Sequence, residues 1–168
     1  MPVPVWSIGQ ILTAADVDNW LAPTAAVKTA DQSVTSSTTL VNDTELSLPL
    51  AASVTYLFLC FIDYEGGTGG SSDIQWLWAL PTGSFMRYSN PHRNLAGTPV
   101  AGDTSTGTAT DAASTGGAGV LRALQMMGTI VCGVTAGTLQ FRWAQNTSSA
   151  TSTIVHAQSC IALQRVSL

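Results

Sequence analysis

Charge is scarce in this sequence. Of its 168 residues only 10% are Asp, Glu, Lys or Arg, against about 25% in an ordinary soluble domain. One lysine, Lys28, and five arginines cannot supply the basic surface that phosphate binding needs, so nucleic acid is excluded as a partner. Histidine is confined to His92 and His156, with no cysteine or histidine close by in sequence and no Cys-x-x-Cys, so no metal site is expected. Cys60, Cys132 and Cys160 are too few and too scattered for a disulfide scaffold. The longest apolar run, Tyr56 to Ile62, falls far short of the roughly 18 residues of a membrane span. No basic stretch precedes an apolar core at the start, which excludes a signal peptide. Neither Gly-x-Ser-x-Gly nor a P-loop occurs, and no cofactor is expected. Disorder is excluded too, because 45% of the residues are hydrophobic and the net charge is only −4.

Hydroxyls take the place of the missing charge: there are 22 Thr and 17 Ser. The few charges are unevenly spread, with all ten acids at or before Asp111 and Arg122, Arg142 and Arg165 alone after it. Arginines from the last part are expected to meet acids of the first across strands or subunits.

Residues 1–30 read as an N-terminal arm. Pro2 and Pro4 keep its start extended. Thr13-Ala14-Ala15-Asp16 has the form of a capping box, with Leu12 and Val17 as its hydrophobic staple. The helix it opens must stop near Ala22, ahead of Pro23. Two turns are too short to stand alone, and Trp6, Ile8, Ile11, Leu12, Val17, Trp20 and Leu21 exceed what they can hide. The arm therefore needs a surface to dock on, in its own domain or in a partner.

Residues 31–168 read as strands and turns. Val34 to Leu40 alternates at period 2. Leu46 to Leu50 does so too, and Pro49 marks an edge strand. Ile74, Trp76, Trp78 and Leu80 share one face, as do Leu139, Phe141 and Trp143. Val120 to Val134 suits one bent strand with Gly128 as a bulge, and Thr153 to Val166 a final strand or pair. Ala96 to Gly119 is poor in apolar residues and suits a surface loop. Seven to nine strands of this spacing mean an all-β sandwich, jelly roll or barrel. Val54 to Ile62 is apolar on both faces, which a small sandwich does not explain. A second subunit is the simplest cover for the extra face, and Tyr56, Phe58, Cys60 and Ile62 are the candidate interface residues.

Other chemistry is thin. Asp63, Glu65 and Asp73 flank a Gly-rich connection and could form a glycosidase pair or a calcium site, although acids at loop tips are more often solvated. Loop aromatics such as Tyr64 or Tyr88 could bind a glycan of a host surface.

The stretch Trp6–Trp20, WSIGQILTAADVDNW, resembles the N-terminal segment of small virion proteins of tailed phages and prophages, especially of actinobacterial hosts. Asp31 to Leu40 and Asp43 to Leu46 are similar to their first β segment. Tyr56-Leu57-Phe58, Asp63 to Gly67, Asp73 to Trp76 and Trp143 to Asn146 continue the likeness over nearly the whole chain. The resemblance implies a jelly-roll sandwich of the complement-C1q/tumour-necrosis-factor type that forms a homotrimer, with apolar strands against the three-fold axis. It implies a non-enzymatic decoration, head-fibre or minor tail protein, made in the host cytoplasm and docked by its arm on the major capsid protein or on tail proteins. The short chain, with no fibre or coiled coil between arm and β domain, suits a compact knob of the capsid-decoration kind.

Overall fold

A computed structural model describes residues 8–9, 11, 13–14, 23–66, 73–93, 96, 99–106, 110–113 and 119–166. Twelve strands run through them. They are β1 (Thr24–Val27), β2 (Gln32–Val34), β3 (Val41–Leu50), β4 (Thr55–Glu65), β5 (Ile74–Ala79), β6 (Phe85–Arg93), β7 (Pro99–Thr106), β8 (Asp111–Ala113), β9 (Arg122–Val131), β10 (Gly137–Gln145), β11 (Thr153–Val155) and β12 (Cys160–Arg165). The larger sheet has the order β1-β12-β4-β9-β6-β7, and β11 bridges β2 to the far end of β4. The smaller has the order β3-β10-β5-β8. Every pairing in both sheets is antiparallel. The protein is therefore all-β, as the alternating pattern predicts.

The inner faces of the two sheets share one core. Trp78 of β5 stands at its centre, with the Phe58 ring 4.9 Å away edge-on at 77° and the Phe141 ring 4.9 Å away at 47°. Its indole N–H donates to the Met126 sulfur at 3.4 Å, so the one polar atom of the ring is not stranded. Trp76, Trp78 and Trp143 are all fully buried, and each contributes to this core. Pro49 lies on β3, which is an edge strand of its sheet, as expected of a residue without an amide N–H.

Several expectations change. The alternation from Val34 to Leu40 gives a strand only as far as Val34, because Ser36 turns to a φ of 53° and donates its N–H to the Ser149 carbonyl. The stretch 96–119 contains β7 and β8 and is not simply a loop. Within it, β7 joins β6 in a hairpin that widens the larger sheet. The last segment is a pair of strands, β11 and β12. Residues 24–30, assigned to the arm, belong to the fold, since β1 pairs with β12 from Thr24↔Leu163 to Val27↔Cys160. The expected helix from Thr13 to Ala22 falls largely outside the described residues.

Gly128 is no bulge. It stays in register with Phe58 on β4 and with Tyr88 on β6. Its glycine is needed because β6 passes so close: a Cβ there would collide with the Arg87 carbonyl oxygen and stand 2.6 Å from the Tyr88 Cα. Gly128→Ala must part β6 from β9, and we expect a loss on the order of 3 kcal/mol, read from the midpoint of chemical denaturation. An unchanged midpoint would mean that the strands yield freely.

Candidate interaction surface

Successive residues of a strand point to opposite faces, and β4 is apolar on both. Phe58, Cys60, Ile62 and Tyr64 point inward and are buried, and burial raises the Cys60 thiol pKa well above its ordinary value. Tyr56 is half-buried, and its hydroxyl oxygen accepts the Ala51 N–H at 3.0 Å. The four residues expected at a subunit interface thus lie on the inner side of the strand, three of them within the protein's own core. The side chains left outward are Leu57, Leu59 and Phe61, all exposed.

Neighbouring strands extend this outer face. In register beside Leu59 stand Ala162 of β12 and Met127 of β9, and beyond Met127 comes Ser89 of β6. Cys160 and Gln125 flank Phe61, and β1 adds Ala25 and Val27. Arg87, beside Thr129, and Asp63, beside Ala123, supply charge on this side. The face is not flat. An open groove of about 580 Å³ runs along Leu59, Phe61, Pro91, Met127 and Cys160, and a second of about 260 Å³ runs along Pro23, Leu57, Leu59, Met127 and Gln164. An antiparallel sheet normally turns polar residues to water on its free side. This one does not.

Beside that face, the chain leaving the N-terminal segment is held by a buried clasp. Lys28 follows β1 directly and is only 1% exposed. Its Nζ donates to Asp43 Oδ1 at 3.1 Å and to Gln32 Oε1 at 3.3 Å, and the Lys28 and Asp43 side chains are fully buried. Asp43 is satisfied on every side: Oδ1 also accepts the N–H groups of Glu45 and Leu46 at 3.0 Å, and Oδ2 accepts Trp143 Nε1 at 3.2 Å. The backbone of Lys28 is pinned as well, through Lys28 N–H to the Ser159 carbonyl and Gln158 N–H to the Lys28 carbonyl.

Two carboxylates finish the clasp. Glu45 accepts the Thr29 hydroxyl and the Thr29 and Ala30 N–H groups. These bonds, with the Thr29 hydroxyl first, hold its carboxyl below the usual range. Asp31 accepts the Ala157 N–H at 2.7 Å and faces His156 Nδ1 at 3.2 Å, and the Ala157 bond leads in lowering its pKa.

The remaining candidates do not converge on chemistry. Tyr64 and Tyr88 are buried, and Tyr88 donates to Asp111 Oδ2 at 2.8 Å, so neither is a loop aromatic open to a glycan. Burial pushes both phenols well above the ordinary tyrosine pKa. Asp73 is buried, whereas Asp63 and Glu65 are half-exposed. Among the described residues no three His, Cys, Asp or Glu side chains gather as a cation site would require, and no helix is long and apolar enough to cross a membrane. Arg142 donates to the Leu40 carbonyl at 3.1 Å. Of the arm residues, Ile8 and Ile11 are exposed, and Trp6, Leu12, Val17, Trp20 and Leu21 lie outside the described residues.

Comparison with known proteins gives little beyond this. No family model matches, and no curated protein matches. Among solved structures, the tripod from the baseplate of bacteriophage Tuc2009 aligns with 99% of this chain and 75% of its own, at a TM-score of 0.40 and 11% identity. Infectious bursal disease virus, Gx strain, aligns with 98% of this chain but 38% of its own, at a TM-score of 0.37 and 11% identity. The VP2 subviral particle of the same virus reaches a TM-score of 0.23 at 9% identity. Likeness at this level establishes neither family nor function.

Two outcomes follow from the clasp. Lys28→Met leaves Asp43 buried without its cation and should cost on the order of 3 kcal/mol, seen as a lowered thermal midpoint. Asp31 and Glu45 titrate lower when folded than unfolded, so their contribution is complete above about pH 5 and fades as the pH falls through about 4 and below. Hydrogen exchange at the Thr29, Ala30 and Ala157 amides, corrected for intrinsic rate, should lose protection in that acid window and not above it.

Proposed function

We propose that this chain is a structural protein of a phage virion, a homotrimeric knob that decorates the capsid and is attached through its N-terminal arm. The observation that carries this reading is the outer face of the larger sheet, apolar across β1, β12, β4 and β9 and continuing to Phe85 of β6. Such a face suits a protein that works by being covered, because apolar area with few charges is what assembly interfaces contain. The virion is the setting suggested by the likeness of Trp6–Trp20 and the later segments to virion proteins of tailed phages. A jelly roll is supported by the strand order. Setting aside β2, β11 and the β6–β7 hairpin leaves two four-stranded sheets, β1-β12-β4-β9 and β3-β10-β5-β8.

In this reading the arm acts by burial. Trp6, Ile8, Ile11, Leu12, Val17, Trp20 and Leu21 enter grooves of the capsid or tail, and three arms on one knob multiply a modest single-site affinity. Capsid decoration is preferred to a minor tail position, and copy number separates the two: hundreds per particle mark the capsid, a few mark the tail. A glycan-binding knob is the weaker reading, since the aromatics that would have carried it, Tyr64 and Tyr88, are buried.

Deleting residues 1–22 removes the arm up to β1 and leaves the clasp at Lys28 intact. The shortened protein should fold and self-associate as before, yet no longer co-sediment with particles assembled without it. Normal binding by the shortened protein would overturn the anchor.

A further inference from the structure

Pro23, the residue at which the arm meets the fold, lines the same groove as Leu57, Leu59 and Met127. The next residues form β1, whose Ala25 and Val27 continue that face, and the Lys28 clasp then fixes the end of the strand. The root of the arm is therefore built into the apolar face. From this we propose that a second copy of this chain covers the outer face of the larger sheet, and that the contact gathers the arm roots, so that attachment to the particle depends on assembly. The proposal rests on the self-association and the arm anchor of the preceding section, and adds where copies meet and what meeting does.

Three observations make a second copy the occupant. The first is area. Val27 is 56% exposed, Leu57 47%, Leu59 54%, Phe61 39%, Phe85 55% and Met127 65%. At about 200 Å² for a large apolar side chain, these fractions leave on the order of 600 Å² uncovered, near the roughly 800 Å² each partner gives to a stable interface. The second is relief. The face holds two grooves of about 580 and 260 Å³ beside projecting Met127 and Leu59, so one patch offers both knobs and recesses. Knobs of one copy can enter recesses of the next, and such contacts make a closed ring when the rotation between copies closes. The third is one-sidedness. The outer side of the smaller sheet sets Leu77 and Ala79 among Ser47, Gln75, Thr138, Gln140 and Arg142 and holds none of the exposed large apolar side chains, so assembly is directed to the larger sheet.

The consequence is a linkage. Arm roots held on the shared face tether the arms of one assembly to one another, and each arm that binds the particle raises the effective concentration of the next. A lone copy forfeits that gain, which amounts to about 10²–10⁴ in apparent affinity.

The test uses the full chain and three readouts: mass by light scattering, the rate at which a maleimide labels Cys160, and co-sedimentation with particles assembled without the protein. Cys160 reports the face directly, because it stands beside Phe61 on that side, while Cys60 and Cys132 are buried. Wild type should be an oligomer with slow labelling. Leu59→Asp, and independently Met127→Lys, place a charge on an exposed position and should give folded monomers by circular dichroism, with fast labelling. Both should bind particles at least about a hundredfold more weakly although residues 1–22 are intact. In the wild-type background, Pro23→Cys should cross-link between copies through a short bis-maleimide.

Each contrary result is informative. Variants as oligomeric as wild type would reject this face while self-association stands. Monomeric variants that bind particles as tightly as wild type would reject the linkage, as would absence of the Pro23→Cys cross-link. A monomeric wild type would overturn both the proposal and the self-association. If deleting residues 1–22 from a monomer speeds Cys160 labelling, the covering segment is the chain's own arm.

Discussion

The structure depends on one strand being asked to serve two faces. β4 lies in the middle of the larger sheet, bonded to β12 on one side and β9 on the other, and its side chains must alternate between them. The inward set packs against the Trp78 and Phe141 layer and joins the two sheets. Among the described residues, the outward set, Leu57, Leu59 and Phe61, stays exposed. Their apolar character is only partly used within one chain, since each keeps a large exposed fraction.

The scarcity of charge and the position of Lys28 belong together. In a domain this poor in ions, a buried pair is conspicuous, and by itself it is weak evidence for stability. Its location is more telling. Lys28, Asp43, Glu45 and Asp31 together fix the few residues that connect the N-terminal segment to both sheets, joining β1, β3 and the turn before β12. A hydrophobic contact would hold these residues without fixing their direction, whereas directional bonds on Lys28, Thr29 and Ala30 set the orientation in which the chain leaves β1.

Much of the fold was legible in the sequence because alternation is a local signal. The strands around Ile74, Leu139 and Cys160 follow from it, and so does the edge position of Pro49. The doubly apolar character of β4 was legible too, but not which set faced inward. Both sets are hydrophobic from Tyr56 to Ile62, and only Thr55, Asp63 and Glu65 at the ends, which share the parity of Leu57, Leu59 and Phe61, mark the outer side. What sequence could not show depends on neighbours distant along the chain. Gly128 reads as a bulge until β6 is seen crossing it, and β7 and β8 have too few apolar residues to announce themselves. The Lys28 clasp joins residues 15 apart to a tryptophan 100 further on, with no motif to announce it.

The burial of Lys28 also determines how the folded protein meets amine-directed reagents. It is the chain's sole lysine, and its Nζ is enclosed between Asp43, Gln32 and Thr44. Aldehyde fixatives, succinimidyl dyes and lysine-specific proteases therefore find no accessible lysine side chain while the clasp is shut. Acylation of Lys28 becomes a record of opening at the joint between arm and sheet, with no competing lysine to obscure it.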